Sequence, residues 1–140
     1  MVERENVNSK KAPAAIGPYS QGVKIGQLLF TSGQIPLDPK TNELVEGDIR
    51  IQTKQVIENV KVILESAGTS MENTVKTMLF LTDMGEFPLV NEVYSQYFER
   101  ELPARSCVEV SHLPRDAKIE IEAVAFIPRG KLLKASQKYG

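Results

Sequence analysis

From Asp48 to Gly68 the sequence carries the pattern that most limits its fold. Ile49, Thr53, Val56, Ile57, Val60, Ile63, Leu64 and Ala67 recur at three- and four-residue spacing, one apolar stripe along a helix. Asp48 suits the N-cap, where a short acceptor side chain satisfies a free backbone N–H, and Gly68 suits the position just past the C-terminus. A helix with a single apolar stripe must bury it against another layer. The rest of the chain therefore has to supply a surface to cover.

That surface reads as a sheet. SQGVKI (20–25) and LLFTSG (28–33) flank a hairpin-like break at Gly26-Gln27, and TVKTMLFL (74–81) is rich in β-branched and apolar residues. Two further strands are predicted over Arg105–Val110 and Lys118–Ile127, with the SHLPRDA loop between them. Residues 35–47 form a loop with turn chemistry at Asp38-Pro39 and Asn42. A second helix is expected from Phe87 to Glu99, its stripe drawn from Phe87, Val90, Val93 or Tyr94, and Tyr97 or Phe98, with Pro88 tolerable in its first turn. The order is two or three strands, helix, strand, helix, two strands. It predicts a single α+β domain over 1–127, with both helices on one face of one sheet. Residues 1–18 are polar and end in APAAIGP, an irregular connection, and 1–11 within them read as a polar N-terminal segment. Residues 128–140, with Arg129, Lys131, Lys134 and Lys138 and no periodicity, read as a flexible basic tail or, alternatively, a basic docking segment.

Composition removes several functions. With 41% hydrophobic and 25% charged residues the chain does not read as disordered, and a net charge of −1 leaves no basic footprint for nucleic acid. One cysteine, Cys107, excludes an intramolecular disulfide, and one histidine, His112, leaves no Cys/His set for zinc. The N-terminus MVERENVNSKK has no apolar core of a secretory signal, and no apolar run reaches the ~18–20 residues of a membrane span. The expectation is a cytoplasmic protein with no bound metal and no membrane or nucleic-acid partner.

Side chains two apart in a strand share a face. Ser106, Val108 and Val110 form one set and Arg105, Cys107 and Glu109 the other; in the last strand Ile119, Ile121, Ala123, Ala125 and Ile127 oppose Glu120, Glu122, Val124 and Phe126. If the Val and Ile sets meet the helices, Arg105 and Cys107 share the open face with Glu120 and Glu122. Val124 and Phe126 on that face predict an oligomer interface with a polar pocket at its edge. A guanidinium fork binds a carboxylate through two parallel hydrogen bonds, and a nearby carboxylate can take a proton from water. Arg105 with Glu120 thus makes a kit for hydrolysing a small carboxylic acid; the alternative is an inert ion pair.

Three blocks, APAAIGPYSQGV (12–23), TSGQIP (31–36) and PARSCVEVSHLPRDAKIEIEA (103–123), closely resemble the Rid family of reactive intermediate/imine deaminases, the YjgF-like proteins, and its RidA branch. The resemblance runs from about Ala12 to Ile127. It implies a chorismate-mutase-like fold: a mixed six-stranded sheet, two helices on one face, and the last strand inserted antiparallel. It also implies a homotrimer with clefts between subunits, and cofactor-independent hydrolysis of 2-aminoacrylate or 2-iminopropionate and 2-iminobutanoate to 2-oxo acids and ammonia. By the same resemblance Arg105 anchors the carboxylate, Glu120 positions or activates water, and Cys107 lines the pocket through its main chain. Tyr19, Ser32, Gly33 and Asn91 match cleft positions, partly contributed by a neighbouring subunit. The segment before Pro103 (ERELP) is shorter than in some bacterial relatives and the tail is longer; neither touches a motif residue.

Rival readings remain for the same residues. Cys107 as a nucleophile needs a base to lower its pKa, and the single histidine lies in the 111–117 loop. Ser111-His112 lacks the strand–elbow context of a catalytic serine. Some relatives have been described as ribonucleases or translation inhibitors, and a holdase-type chaperone is the other rival.

Overall fold

The computed structural model describes residues 2–128; residues 129–140, which hold nearly all of the basic tail, lie outside the described residues. Six strands, β1 (Arg4–Val7), β2 (Gly22–Ile25), β3 (Leu28–Thr31), β4 (Thr74–Leu81), β5 (Ala104–Glu109) and β6 (Ile119–Phe126), form one sheet in the order β1-β2-β3-β6-β4-β5. Only β4 and β5 run parallel, and β6 enters antiparallel between β3 and β4. Helices α1 (Ile49–Ser66) and α2 (Phe87–Tyr97) complete the α+β domain that the resemblance implies.

The long helix forms where its stripe predicts. Asp48 Oδ1 accepts from Ile51 N at 3.1 Å, and Gly68 takes φ +89°, a conformation that costs glycine little. Val56, Ile57, Ile63 and Leu64 are fully buried against Leu29, Leu79, Leu81, Ile119 and Ile121 of the sheet. Two buried amides of α1 reach past the core. Asn59 Nδ2 donates to the Ile35 and Leu37 carbonyls at 3.2 and 2.9 Å, and Gln52 Oε1 accepts from Lys118 N at 2.9 Å. They fix the loops that flank the end of β6.

Two expectations are corrected. The sixth strand is β1, inside the polar N-terminal segment, where no strand is predicted. RENV carries three polar residues in a row, because β1 is an edge strand with Arg4, Glu5 and Asn6 exposed and only Val7 buried. The second correction concerns the faces. β5 pairs with β4 as Thr77↔Arg105, Leu79↔Cys107 and Leu81↔Glu109, and β6 pairs with β4 as Thr77↔Ala123, Leu79↔Ile121 and Leu81↔Ile119. Paired residues share a face, so Arg105 and Cys107 lie on the helix side, while Glu120 and Glu122 lie opposite Phe80 and Met78 on the uncovered side. Arg105 and Glu120 are therefore on opposite faces. The phase of β5 follows β4, whose buried set is fixed by Leu79 and Leu81, and Val108 is left on the open side.

That open side is strongly apolar. Phe30, Phe126 and Val108 remain 43%, 40% and 39% exposed, alongside Ile25, Leu28 and Val75. Exposed apolar residues gathered on one sheet face are the general mark of an interaction surface.

Candidate active site

The expected site residues gather in two places. The first is the helix side of the edge strand β5. Arg105 Nη1 donates to Asn91 Oδ1 of α2 at 2.8 Å, and its Cζ lies 5.0 Å from the Phe87 ring centroid and 4.8 Å from that of Tyr94. A cavity of about 580 Å³ opens beside the guanidinium, lined by Asn91, Tyr94, Ser95, Phe98, Glu99, Leu102 and Pro103. Cys107, two residues along, packs against the core; burial pushes its thiol pKa up, and the Arg105 charge offsets this only in part. A thiol held protonated is a poor nucleophile, so the pocket-wall reading suits Cys107 better.

The second place is a more enclosed cleft of about 240 Å³ at the end of β6. Glu120 shares it with Gly33, Tyr19, Gln34, Ile35, Pro114 and Arg115. Glu120 has no ion-pair or hydrogen-bond partner among the described residues, and its half-buried carboxyl has a raised pKa, first through burial and then through repulsion from Glu122. Gly33 is needed here for space: a Cβ at this position would run into the Glu120 carboxylate, with Cδ only 2.8 Å away. Tyr19 is half-exposed, and its hydroxyl accepts from Ile16 N at 3.3 Å, folding the 16–19 segment into the cleft wall. Ser32 lies behind the cleft, not in it. Its Oγ donates to the Ser20 carbonyl at 2.6 Å and tethers the Tyr19 segment to β3.

Several residues with no assigned role build these places. Gln21, 3% exposed, donates through Nε2 to the Pro13 and Ser9 carbonyls at 2.8 and 3.1 Å and pins the segment that walls the Glu120 cleft. Arg115 enters the cleft from a left-handed backbone (φ +59°), its Nη1 donating to the Asn42 carbonyl at 3.0 Å. Nothing in its sequence neighbourhood signals that conformation. Phe87 and Tyr94 belong to the apolar stripe expected of α2, yet they also face Arg105; the signal is their i, i+4, i+7 alignment with Asn91. His112 is exposed and lines neither cavity. Among the described residues no three His, Cys, Asp or Glu side chains come together to hold a metal ion, and no helix is long and apolar enough to cross a membrane.

Chemically the two places are complementary. One offers a fixed cation with donors free for an anion, the other a carboxyl whose proton affinity is raised toward the range useful in proton transfer. Two strand spacings and three residues separate them, about 14 Å of backbone, on opposite faces of the sheet.

The sequence model described as endoribonuclease L-PSP matches residues 9–127. A RutC family protein of Pyrococcus abyssi is 54% identical over 123 residues, 88% of this chain and 97% of its own length. The 2-iminobutanoate/2-iminopropanoate deaminase of Salmonella typhimurium is 50% identical over 124 residues, 86% of this chain and 96% of its own. Among solved structures, Escherichia coli TdcF with bound serine superposes with a TM-score of 0.84 at 45% identity, covering 89% of this chain and 99% of that one.

Proposed function

The chain belongs to the Rid (YjgF-like) family, and on that premise we propose that it hydrolyses reactive imine acids such as 2-iminopropionate and 2-iminobutanoate to 2-oxo acids and ammonia. The observation that carries the reading is the preorganised Arg105, a planar cation held beside an open cavity with most of its donors unengaged. Such a fork matches a small carboxylate, and the serine bound by the Escherichia coli relative has that group.

The reaction needs only water. The enamine tautomerises to the imine, and Arg105 fixes its carboxylate. Water hydrogen-bonded to Glu120 attacks the imine carbon, giving a carbinolamine. Its C–N bond then breaks as the hydroxyl proton passes through the Glu120 carboxylate to nitrogen, releasing ammonia and leaving the carbonyl of the 2-oxo acid. A carboxyl with raised proton affinity suits both halves of that transfer, accepting from water and returning to nitrogen.

Arg105 and Glu120 cannot serve one substrate within one chain. The proposal therefore includes a homotrimer in which the Arg105 side of one copy meets the Glu120 cleft of the next, buried through the apolar open face. Sedimentation measures the assembly. The activity is tested by semicarbazide competition with enzymatically generated iminobutanoate. Wild type accelerates 2-oxo acid formation and Arg105→Ala does not; full activity in that variant defeats the assignment.

A further inference from the structure

Arg105 does not simply project from β5; it is held by a ridge of α2. Phe87, Asn91 and Tyr94 stand at positions i, i+4 and i+7, which at 3.6 residues per turn fall within an arc of about 60°. The guanidinium lies along this ridge, with a ring at 5.0 Å on the Phe87 side, a ring at 4.8 Å on the Tyr94 side, and the Asn91 amide oxygen at 2.8 Å between them. The Tyr94 ring is itself locked. It is 7% exposed, packs on Phe98 with ring centroids 4.4 Å apart, and shares a 2.8 Å hydrogen bond between its hydroxyl and Thr77 Oγ1. Thr77 is the cross-strand partner of Arg105. Strand pairing, the Thr77–Tyr94 bond and the ring–cation contact thus close a circuit around one long side chain.

A free arginine loses much rotamer freedom when it grips a ligand, and a stacked one has lost it already. Ring faces attract the guanidinium's flat face and leave its in-plane N–H donors pointing outward, the geometry a carboxylate needs. We infer that Phe87 and Tyr94 are positioning residues that set the plane and direction of the Arg105 fork and so the affinity of the site for carboxylate. The inference rests on the reading of Arg105 as the substrate anchor.

Two measurements on wild type, Phe87→Leu, Tyr94→Leu and Tyr94→Phe test it. The first is steady-state turnover of iminobutanoate; the second is the Nε–H resonance of Arg105 in a ¹H–¹⁵N spectrum, identified by its loss in Arg105→Lys. Removing either ring is expected to raise KM about 3- to 30-fold with kcat within about twofold. Tyr94→Phe, which keeps the ring and loses only the bond to Thr77, raises KM less than Tyr94→Leu does. The Nε–H resonance moves in both leucine variants and much less in Tyr94→Phe. Phe87→Leu, at a half-buried site, serves if Tyr94→Leu does not fold. A folded leucine variant with unchanged KM and an unmoved resonance overturns the inference, as does a fall in kcat alone. If Arg105→Ala retains turnover, the anchor reading fails separately, and the resonance still decides whether the rings hold the guanidinium.

Discussion

The Arg105 side and the Glu120 cleft carry opposite kinds of preparation. Arg105 is partnered in advance: two rings, an amide oxygen and a strand neighbour fix it before any ligand arrives. Glu120 is unpartnered among the described residues, crowded against Gly33 and repelled by Glu122. An anchor gains from losing its freedom early, because ordering it at binding weakens affinity. A proton carrier gains from staying unsatisfied, because a strong partner would lower its proton affinity. Each half alone lacks what the other has, and the sheet keeps them apart within one chain.

Putting the two defects on different chains separates the two halves most directly. Arg105→Ala and Glu120→Gln homo-oligomers should each lose activity by at least ~100-fold. If sites form between neighbouring copies of a cyclic trimer, co-refolding the two at equal amounts pairs an intact arginine with an intact glutamate at one site in four. About a quarter of wild-type turnover should return. No recovery, with mixed oligomers verified by mass, would mean that both residues act from one chain.

Gly33→Ala should rank next. The added Cβ has the carboxylate in its way, and the flexible end of Glu120 is what moves. Turnover is expected to fall by at least ~10-fold, since displacement of about 1 Å at a reacting group costs that much or more. Binding of the 2-oxo acid product, measured calorimetrically, should change little because Arg105 is untouched. Equal losses in both would show that the two halves are not separable.

The same contrast predicts a stability effect. The folded chain raises the Glu120 pKa, so the native state binds its proton more tightly than the unfolded state does. Stability from this group is then highest below the unfolded value of ~4.3 and falls as pH rises through the folded value. Glu120→Gln removes that loss. Its Tm should exceed wild type at pH 7–8 at matched protomer concentration, and the gain should vanish by pH 4. A lower Tm at neutral pH would show that Glu120 is held by partners in the assembled protein.

Some elements of these halves are legible in the sequence and others are not, each for a physical reason. The buried set of β6 is legible because Ile119, Ile121, Ala123 and Ala125 alternate cleanly with half-exposed neighbours. α1 is legible because its stripe, its Asp48 cap and its Gly68 stop agree. β5 misleads because both faces of the sheet carry apolar residues, so hydrophobicity cannot say which set meets the helices; only the register with β4 does. β1 is missed because an edge strand facing solvent has no apolar phase to show. The family blocks imply that Arg105 and Glu120 act as chemical neighbours, whereas alternation places them on one face of one chain, and the register puts them on opposite faces. The first is a statement about an assembly, the second about a monomer.

The smallest predicted effect isolates what Glu122 does to its neighbour. Glu120 and Glu122 project from the same face of β6, two residues apart, and their repulsion is the second cause of the raised Glu120 pKa after burial. Glu122→Gln removes only that second cause. The acid limb of kcat/KM, which reports the free enzyme's carboxylate, should therefore move to lower pH without reaching the position of an exposed glutamate, because burial remains. Glu122→Asp, which keeps the charge, should hold the wild-type limb. Added salt should move wild type toward the Glu122→Gln profile, since screening weakens charge repulsion at a half-buried site and leaves burial unchanged. A limb insensitive to both substitution and salt would show that desolvation alone tunes Glu120. The open-face charge of Glu122 would then belong to the contact between copies.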